Sequence, residues 1–423
     1  MKFLVVGSGG REHALAWKLG VEAADREVFV APGNDGIEAD PAIDGECLDI
    51  EAHQFEALAQ FARGQDIDLT VVGPEAPLCD GIVDYFDELH LPIFGPSEAA
   101  ARLEGSKSFA KDLMDEAGVP TADYEVFDEL EPAIAHVESV DHPVAIKADG
   151  LAGGKGVVVS DDVEVSRETL VEYMEDQRFG EASRRVVIEE ALKGKEMSFI
   201  VVSDGENVVP LATSRDHKRI GEGDTGPNTG GMGAVAPAPE SNEAPDWEIL
   251  EMVVKPTLTT LEERGISYQG FLYAGLMLTD DGPKVLEFNC RMGDPEAQPL
   301  VYALEADLGE ALVDASRGNL SEETTLEAER HACCVVLASR GYPAPDRDTG
   351  YPITGLDDLD EVPETKAFHA GTRLEDGEFI NAGGRVLGVT GRGNNGEEAR
   401  RRAYEAVSKI DWEGMQYRGD IGE

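Results

Sequence analysis

A multidomain protein of mixed α/β and α+β class is predicted, on three observations. The chain has 423 residues, which allows two to four domains at roughly 100–200 residues each. The amino-terminal quarter alternates short apolar runs with helical patterns, and that alternation implies a parallel, doubly wound sheet. From Pro143 to Val202 the chain is strand-rich instead, and a last segment from about Thr325 has strands and a helix of its own.

In the first part, strands are predicted at Phe3–Val6, Val28–Ala31, Leu69–Val72 and Pro92–Phe94, with helices such as Glu12–Leu19 and Phe55–Ala62 between them. Ligands of such sheets bind beyond the carboxyl ends of the strands. The loops there are polar and glycine-rich: Gly7-Ser8-Gly9-Gly10-Arg11-Glu12, Pro32-Gly33-Asn34 and Gly73-Pro74-Glu75. A helix over about Ser106–Ala117 is ended by Gly118-Val119-Pro120. The strands Val144–Lys147, Val157–Ser160, Val186–Glu189 and Met197–Val202 suggest a small α+β subdomain. Between Asp216 and Pro239 lie six glycines and no apolar periodicity, which reads as a long functional loop. A helix near Trp247–Arg264 and strands Phe271–Leu278 and Lys284–Asn289 follow. The last segment carries strands Ala332–Leu337 and Gly384–Thr390 and a helix near Glu397–Lys409.

Composition removes several function classes. Eighty-five acidic residues against 36 basic ones give a formal charge of −49, which repels nucleic-acid phosphates. The acid is spread along the chain and only 13 of the basic residues are Lys, a balance expected of a protein solvated by concentrated salt, where self-repulsion is screened within roughly 3 Å. A halophilic cytosol is therefore expected. No run of 18 apolar residues predicts a membrane span, and the apolar start at Phe3 is too short for a signal peptide. Five cysteines without CxxC spacing read as free thiols in a reducing, cytoplasmic compartment. The eight histidines show no HxxxH or HExxH spacing, against a zinc enzyme.

Four segments carry candidate chemistry. Val144-Ala145-Ile146-Lys147 enters Ala148-Asp149-Gly150-Leu151-Ala152-Gly153-Gly154-Lys155-Gly156 and leaves as a strand. Glycines let backbone N–H groups approach phosphate, and lysines add point charges. A plain hairpin would need only the glycines; two lysines among four glycines favour phosphate binding. No helix and no GK[ST] ending follow, so it is not a Walker A loop. In Lys284-Val285-Leu286-Glu287-Phe288-Asn289-Cys290-Arg291, strand alternation puts Glu287, Asn289 and Arg291 on one face and Leu286, Phe288 and Cys290 on the other. A carboxylate and an amide oxygen two residues apart suit a hard Mg²⁺ ion, and Arg291 suits phosphate or carboxylate. Taken alone, that pattern equally describes a half-exposed strand. The strand end Ile188-Glu189-Glu190-Ala191-Leu192 could meet an adenine edge or simply end a strand. Asp216-His217-Lys218-Arg219, running into Thr225–Gly233, reads as a charged lid, with His217 given no catalytic role.

In this order these segments resemble the glycinamide ribonucleotide synthetase family of ATP-grasp ligases. The blocks GSGGREHALAWKL, APGN, DLTVVGPEAPL, LEGSKSFAK, IKADGLAGGKGVVV, VIEEAL, DHKR, TGPNTGGMGA, LEFNCRMGDPEAQPL and FHAGT carry the resemblance across nearly the whole chain. It implies a Rossmann-like domain over 1–104, an ATP-grasp unit over 105–324 with its small ATP-covering part at about 120–193, and a carboxyl-terminal domain over 325–423. It implies ATP with Mg²⁺ or Mn²⁺ as cofactors, and glycine and 5-phosphoribosylamine as small-molecule substrates. A monomer or weak homodimer is expected, without nucleic-acid or membrane partners. Lys107 and Lys147 would contact phosphates, under Gly150, Gly153, Gly154, Lys155 and Gly156. Glu190 and Leu192 would border adenine through backbone groups, Glu189 would bind the nucleotide beside them, and Glu196 would hold the ribose. Glu287 and Asn289 would bind metal. Gly9, Gly10, Glu12, Gly33, Asn34 and Glu75 would line the phosphoribosylamine pocket. Asp216, Lys218, Arg291 and Asp294 would face glycine and its acyl phosphate. One departure from the wider superfamily stands out: Tyr273-Ala274-Gly275-Leu276-Met277 offers no acidic metal ligand, so the resemblance does not fix the metal count.

The implied reaction is phosphoryl transfer from ATP to the glycine carboxylate, then attack by the amine. Such chemistry asks the protein for positioning, charge neutralisation and exclusion of water rather than a nucleophile. Other readings are a related ligase with a different acceptor, against which the GREHA block speaks, and a nucleotide sensor without turnover. A dinucleotide-dependent dehydrogenase fails, since Gly7-Ser8-Gly9-Gly10-Arg11-Glu12 lacks the third glycine of GxGxxG.

Overall fold

The computed structural model describes residues 1–321 and 323–423. The amino-terminal strands Lys2–Gly7, Glu27–Pro32, Leu69–Val72 and Ile93–Phe94 form a parallel sheet in the order second, first, third, fourth. Both faces are covered by helices, which is why Phe3, Leu4, Val5 and Val6 in the first strand are all fully buried. Two of the glycine-rich loops meet around Glu12, and the third joins them through the Gly33 N–H, which donates to the Gly7 carbonyl at 3.0 Å. A Cβ at Gly73 would lie 2.1 Å from the Glu12 carboxylate and one at Gly7 2.5 Å from its Cγ, so only glycine fits there.

Two antiparallel sheets make the middle of the chain. The smaller runs in the order Tyr124–Phe127, Val186–Glu190, Val144–Ala148, Val157–Ser160. Helices Leu130–Ser139 and Val163–Leu170 back it, and Ala133, Val137, Ile146, Leu170 and Ile188 form its own core. The larger runs in the order Val208–Pro210, Lys195–Asp204, Gln269–Thr279, Gly282–Asn289. Helix Lys107–Ala117 connects into this region. Ser106 caps it by accepting the Phe109 N–H at 3.3 Å, and Gly118 ends it at φ 66°. The predicted helix near Trp247–Arg264 runs from Asp246 to Glu263 with a π-helical stretch, Leu250–Val254, just ahead of Pro256, which has no N–H to donate.

The segment 216–239, expected as a loop, is built differently. Arg219–Gly221 and Thr225–Asn228 pair as a hairpin, and Gly233–Ala236 joins the carboxyl-terminal sheet beside His331–Ser339. Glycines at positive φ (Gly223, Gly226 and Gly231) make its turns, and the Gly-Ala-Val-Ala strand is too small-chained to show alternation in sequence. The carboxyl-terminal sheet thus takes Arg215–Asp216 and Gly233–Ala236 from within the middle region; Arg385–Gly393, Thr365–His369 and Met415–Gln416 complete it, with helix Gly396–Val407 packed on top.

The first helix, Gly10–Val21, locks onto this last sheet. The His369 N–H donates to His13 Nδ1 at 2.8 Å, so the other ring nitrogen carries the proton that reaches Asp40 Oδ2, also at 2.8 Å. Lys366 closes the cluster on the same carboxylate. Burial lowers the pKa of His13, keeping it neutral in this role.

Candidate active site

A cavity of about 830 Å³ opens between the two antiparallel sheets and reaches the carboxyl ends of the amino-terminal strands. From the small sheet come Lys147, Glu189 and Glu190, together with Gly153, Gly154 and Gly156 of the loop. Gly153 and Gly154 sit at φ 57° and 73°, the left-handed conformation that a side chain would strain. The loop is fastened to the start of helix Lys107–Ala117. There Asp149 accepts the Ser108 N–H at 2.7 Å through its carboxylate and the Lys107 N–H at 2.9 Å through its carbonyl. This brings the Lys107 side chain and a helix amino terminus to the same wall, an anion-favouring arrangement.

The opposite wall is the strand Gly282–Asn289. Its register slips so that Val285 faces Leu276 and Glu287 faces Gly275, leaving Leu286 as an unpaired bulge. Leu286, expected on the far face, therefore also lines the cavity, while Glu287 and Asn289 stay together on it as predicted. Burial would raise the Glu287 carboxyl, but Lys218, Lys107, Lys147 and Arg291 around it bring it down to about 2. Lys218 lies 3.6 Å from Glu287 and 3.4 Å from Glu196. The Asn289 amide fits best with its nitrogen on Glu104 Oε1 at 3.0 Å, which leaves its oxygen for the cavity. Among the described residues no three His, Cys, Asp or Glu side chains are arranged to hold a metal. One carboxylate and one amide oxygen nonetheless fit an ion that keeps several waters and takes phosphate oxygens for the rest.

At the far end, Arg291 bridges Glu75 Oε2 at 3.1 Å and Glu104 Oε1 at 2.5 Å. Despite burial, Arg291 and Arg11 hold Glu75 down at about 2, whereas burial pushes Glu104 up to about 7. Asp216 has a buried Oδ1 without a hydrogen-bond partner, and burial next to Glu296 raises its pKa well above the ordinary value. Asp294 accepts from Gln298 at 2.9 Å and pairs with Arg385 at 2.9 Å.

Sixteen of the predicted site residues meet in this cavity: Glu75, Lys107, Lys147, Gly153, Gly154, Gly156, Glu189, Glu190, Leu192, Glu196, Asp216, Lys218, Glu287, Asn289, Arg291 and Asp294. Others stand outside its wall. Lys155 turns away to the Pro343 carbonyl at 3.3 Å, because the loop's tight turn faces the carboxyl-terminal domain there. Gly150 packs on Ala182, where a Cβ would come within 2.8 Å. Gly9, Gly10, Glu12, Gly33 and Asn34 cluster at the adjoining mouth of the amino-terminal sheet. The Glu12 carboxylate accepts the Gly9 N–H at 2.6 Å, and Asn34 donates to the carbonyls of Ser8 and His369 at 2.8 and 3.2 Å.

Sequence reasoning missed Arg11, Glu104, Lys111, Glu296 and Arg385. The first four lie inside blocks already singled out, so the signal was present but unread at the level of single residues. Arg385 had none: the sheet delivers it from the far carboxyl-terminal domain, where its guanidinium donates to the carbonyls of Gly230 and Asp294. Replacing Arg385 with Met removes one partner of a largely buried charge pair and is expected to cost about 3 kcal/mol of stability, read as a shift in denaturant midpoint.

Comparison with known proteins agrees with this geometry. Models of the phosphoribosylglycinamide synthetase N domain, ATP-grasp (A) domain and C domain match residues 1–104, 105–297 and 332–423. The chain belongs to the phosphoribosylglycinamide synthetase family. A phosphoribosylamine–glycine ligase of Allochromatium vinosum is 51% identical over 423 residues, all of this chain and 98% of that protein. One from Escherichia coli is 48% identical over 100% of this chain and 98% of its own. The crystal structure of phosphoribosylamine–glycine ligase from Thermotoga maritima superposes with a TM-score of 0.82 at 36% identity, covering both chains completely. A biotin carboxylase domain of Hydrogenobacter thermophilus, solved with MgADP, shares the fold at TM-score 0.74 and 15% identity, covering 98% of this chain and 91% of its own. Members of this ATP-grasp family use ATP and a divalent metal. No helix of the described residues is long and apolar enough to cross a membrane.

Proposed function

We propose that this protein ligates glycine to 5-phosphoribosylamine in purine biosynthesis, forming glycinamide ribonucleotide, ADP and phosphate. The observation that carries the reading is one cavity in which Lys107 and Lys147 face Glu287 and Asn289, with Arg291 and Asp216 at its far end. A carboxylate does not acylate an amine at neutral pH, because oxide is a poor leaving group. In the proposed sequence a glycine carboxylate oxygen attacks the γ-phosphorus of ATP, the bond to ADP breaks, and glycyl phosphate forms. The amine of phosphoribosylamine then attacks the glycyl carbon, phosphate leaves, and the amine proton passes to solvent or phosphate.

The protein's part is positioning and charge. Lys107, Lys147 and the N–H groups of Gly153–Gly156 neutralise the phosphates. Leu192 and Glu190 border the adenine, and Glu196 holds the ribose. Glu287 and Asn289 would hold Mg²⁺ or Mn²⁺, which supplies charge neutralisation to the transferred phosphoryl group. Asp216, Lys218 and Asp294 receive glycine with Arg291. Gly9, Gly10, Glu12, Gly33, Asn34 and Glu75 form the phosphoribosylamine end. The hairpin Arg219–Asn228 and the glycine loop exclude water, which would hydrolyse the acyl phosphate. Domain limits of 1–104, 105–324 and 325–423 describe the division of labour, and a cytoplasmic monomer or weak homodimer fits it.

The test is ADP release with ATP and Mg²⁺ in molar KCl. Release that requires both glycine and phosphoribosylamine is expected; release with glycine alone would point to another acceptor, and none from folded protein would sink the ligase. The charge of −49 leads us to place the working medium at high salt. The thermal midpoint should rise by roughly 10 °C or more from low salt to about 2 M KCl as self-repulsion is screened. An unchanged midpoint would remove the halophilic reading.

A further inference from the structure

Lys147 is not free in its strand. Its ammonium donates to Glu189 Oε2 at 2.8 Å and to the Leu286 carbonyl at 2.9 Å, the latter left without a sheet partner by the bulge. An ammonium has three N–H donors, so two are fixed and one remains on the side that lines the cavity. The other Glu189 oxygen lies 3.1 Å from Lys111, on helix Lys107–Ala117. That contact is an ion pair; the hydrogen bond from Lys111 goes to Thr121 Oγ1 at 2.6 Å, and Thr121 in turn donates to the Val285 carbonyl at 2.6 Å. The cluster therefore ties helix, small sheet and metal-facing strand together at the joint where the two sheets meet.

Glu189, Lys111 and Lys147 are only 2%, 2% and 4% exposed, and two lysines share one carboxylate. Three buried charges summing to plus one are costly unless an anion completes them. The surplus faces the cavity, where Glu287 offsets part of it and a phosphate would supply the remaining anion. Burial, with Lys147 adding, lowers Lys111 to about 8 against the opposing pull of the Glu189 carboxylate.

We infer that Glu189 and Lys111 are positioning residues for Lys147: together they hold its ammonium so that the third N–H meets a nucleotide phosphate. This replaces the expectation that Glu189 touches the nucleotide itself, and it rests on the reading of the cavity as an ATP site. Glu189 is a diagonal cross-strand neighbour of Lys147, whose register partner is Val187, so both side chains leave the sheet on the same face.

Calorimetric titration of Mg·ADP and of adenosine into the full chain separates this role from mere folding, since only ADP needs the ammonium. Glu189→Gln should weaken ADP at least about tenfold, the scale of a lost charge-assisted contact, while adenosine stays within about twofold. Lys111→Met should act in the same direction by about threefold, and it carries the test if Glu189→Gln does not fold. Parallel weakening of ADP and adenosine, or unchanged ADP binding in both variants, would overturn the inference. Wild-type protein that binds neither ligand would overturn the nucleotide reading, and this inference with it.

Discussion

Lys147→Met is expected to abolish turnover, by about a thousandfold or more, in protein that remains folded. The scale is that of removing one preorganised donor from a site where charge develops in a water-excluded cavity. Retention of the fold follows from the neighbours. Lys147 shares Glu189 with Lys111, so the Met variant still leaves that buried carboxylate with a cation at 3.1 Å. Methionine fills the space of the lysine stem without a charge to bury. The variant should keep its thermal midpoint within a few degrees, lose ADP release in every substrate mixture, and bind ADP more weakly than any loss of adenosine affinity would explain. Normal turnover from this variant would take Lys147 out of the phosphate site and leave the glycine loop as a structural hairpin.

Much of the fold was legible because its strands are short apolar runs closed by glycine or proline. Leu69–Val72 and Val157–Ser160 have the predicted limits, and the first helix is capped just where polar loop gives way to apolar period. The segment 216–239 was not legible. Its hairpin strands are three and four residues long, Gly233–Ala236 is held by pairing to the distant His331–Ser339, and their small residues leave no period to read. Chemistry on one element was likewise readable: Glu287 and Asn289 share a face because strands alternate. The bulge at Leu286 was not, since a register slip depends on the neighbouring strand rather than on the chain itself. The resemblance found the glycine loop, yet it could not say that Lys155 turns outward while Lys111, one turn into helix Lys107–Ala117, turns in. Arg385 shows the general limit. Nothing within its own segment marks it, and it enters the site only because its sheet also takes strands Arg215–Asp216 and Gly233–Ala236, which border the cavity.

The second large effect is expected at the metal end. Glu287 is one carboxylate facing Lys218, Lys107, Lys147 and Arg291, so this strand supplies the negative charge against a ring of cations. If Glu287 and Asn289 hold the divalent ion, Glu287→Gln should weaken its apparent affinity about a hundredfold, because a hard cation loses its only anionic protein ligand there. Excess Mg²⁺ or Mn²⁺ should then restore part of the turnover, and titration of either metal against ADP release measures it. Lys218 keeps Glu196 at 3.4 Å, so the substitution leaves that lysine paired and the fold in place. The pH dependence follows from the sign of the shift. A carboxyl held at about 2 in the folded protein lies below its ordinary value, so its contribution to stability is complete above that ordinary value. That contribution is lost as pH falls from there through about 2, and the carboxylate needed for metal is lost at the same lower limit. No acid limb between about pH 5 and 7 should therefore trace to Glu287. Any limb seen there in the wild type must survive unchanged in Glu287→Gln at saturating metal. A metal requirement identical in variant and wild type would instead make Glu287 the charge partner of Lys218 alone, and would move the ion to ligands supplied by the nucleotide.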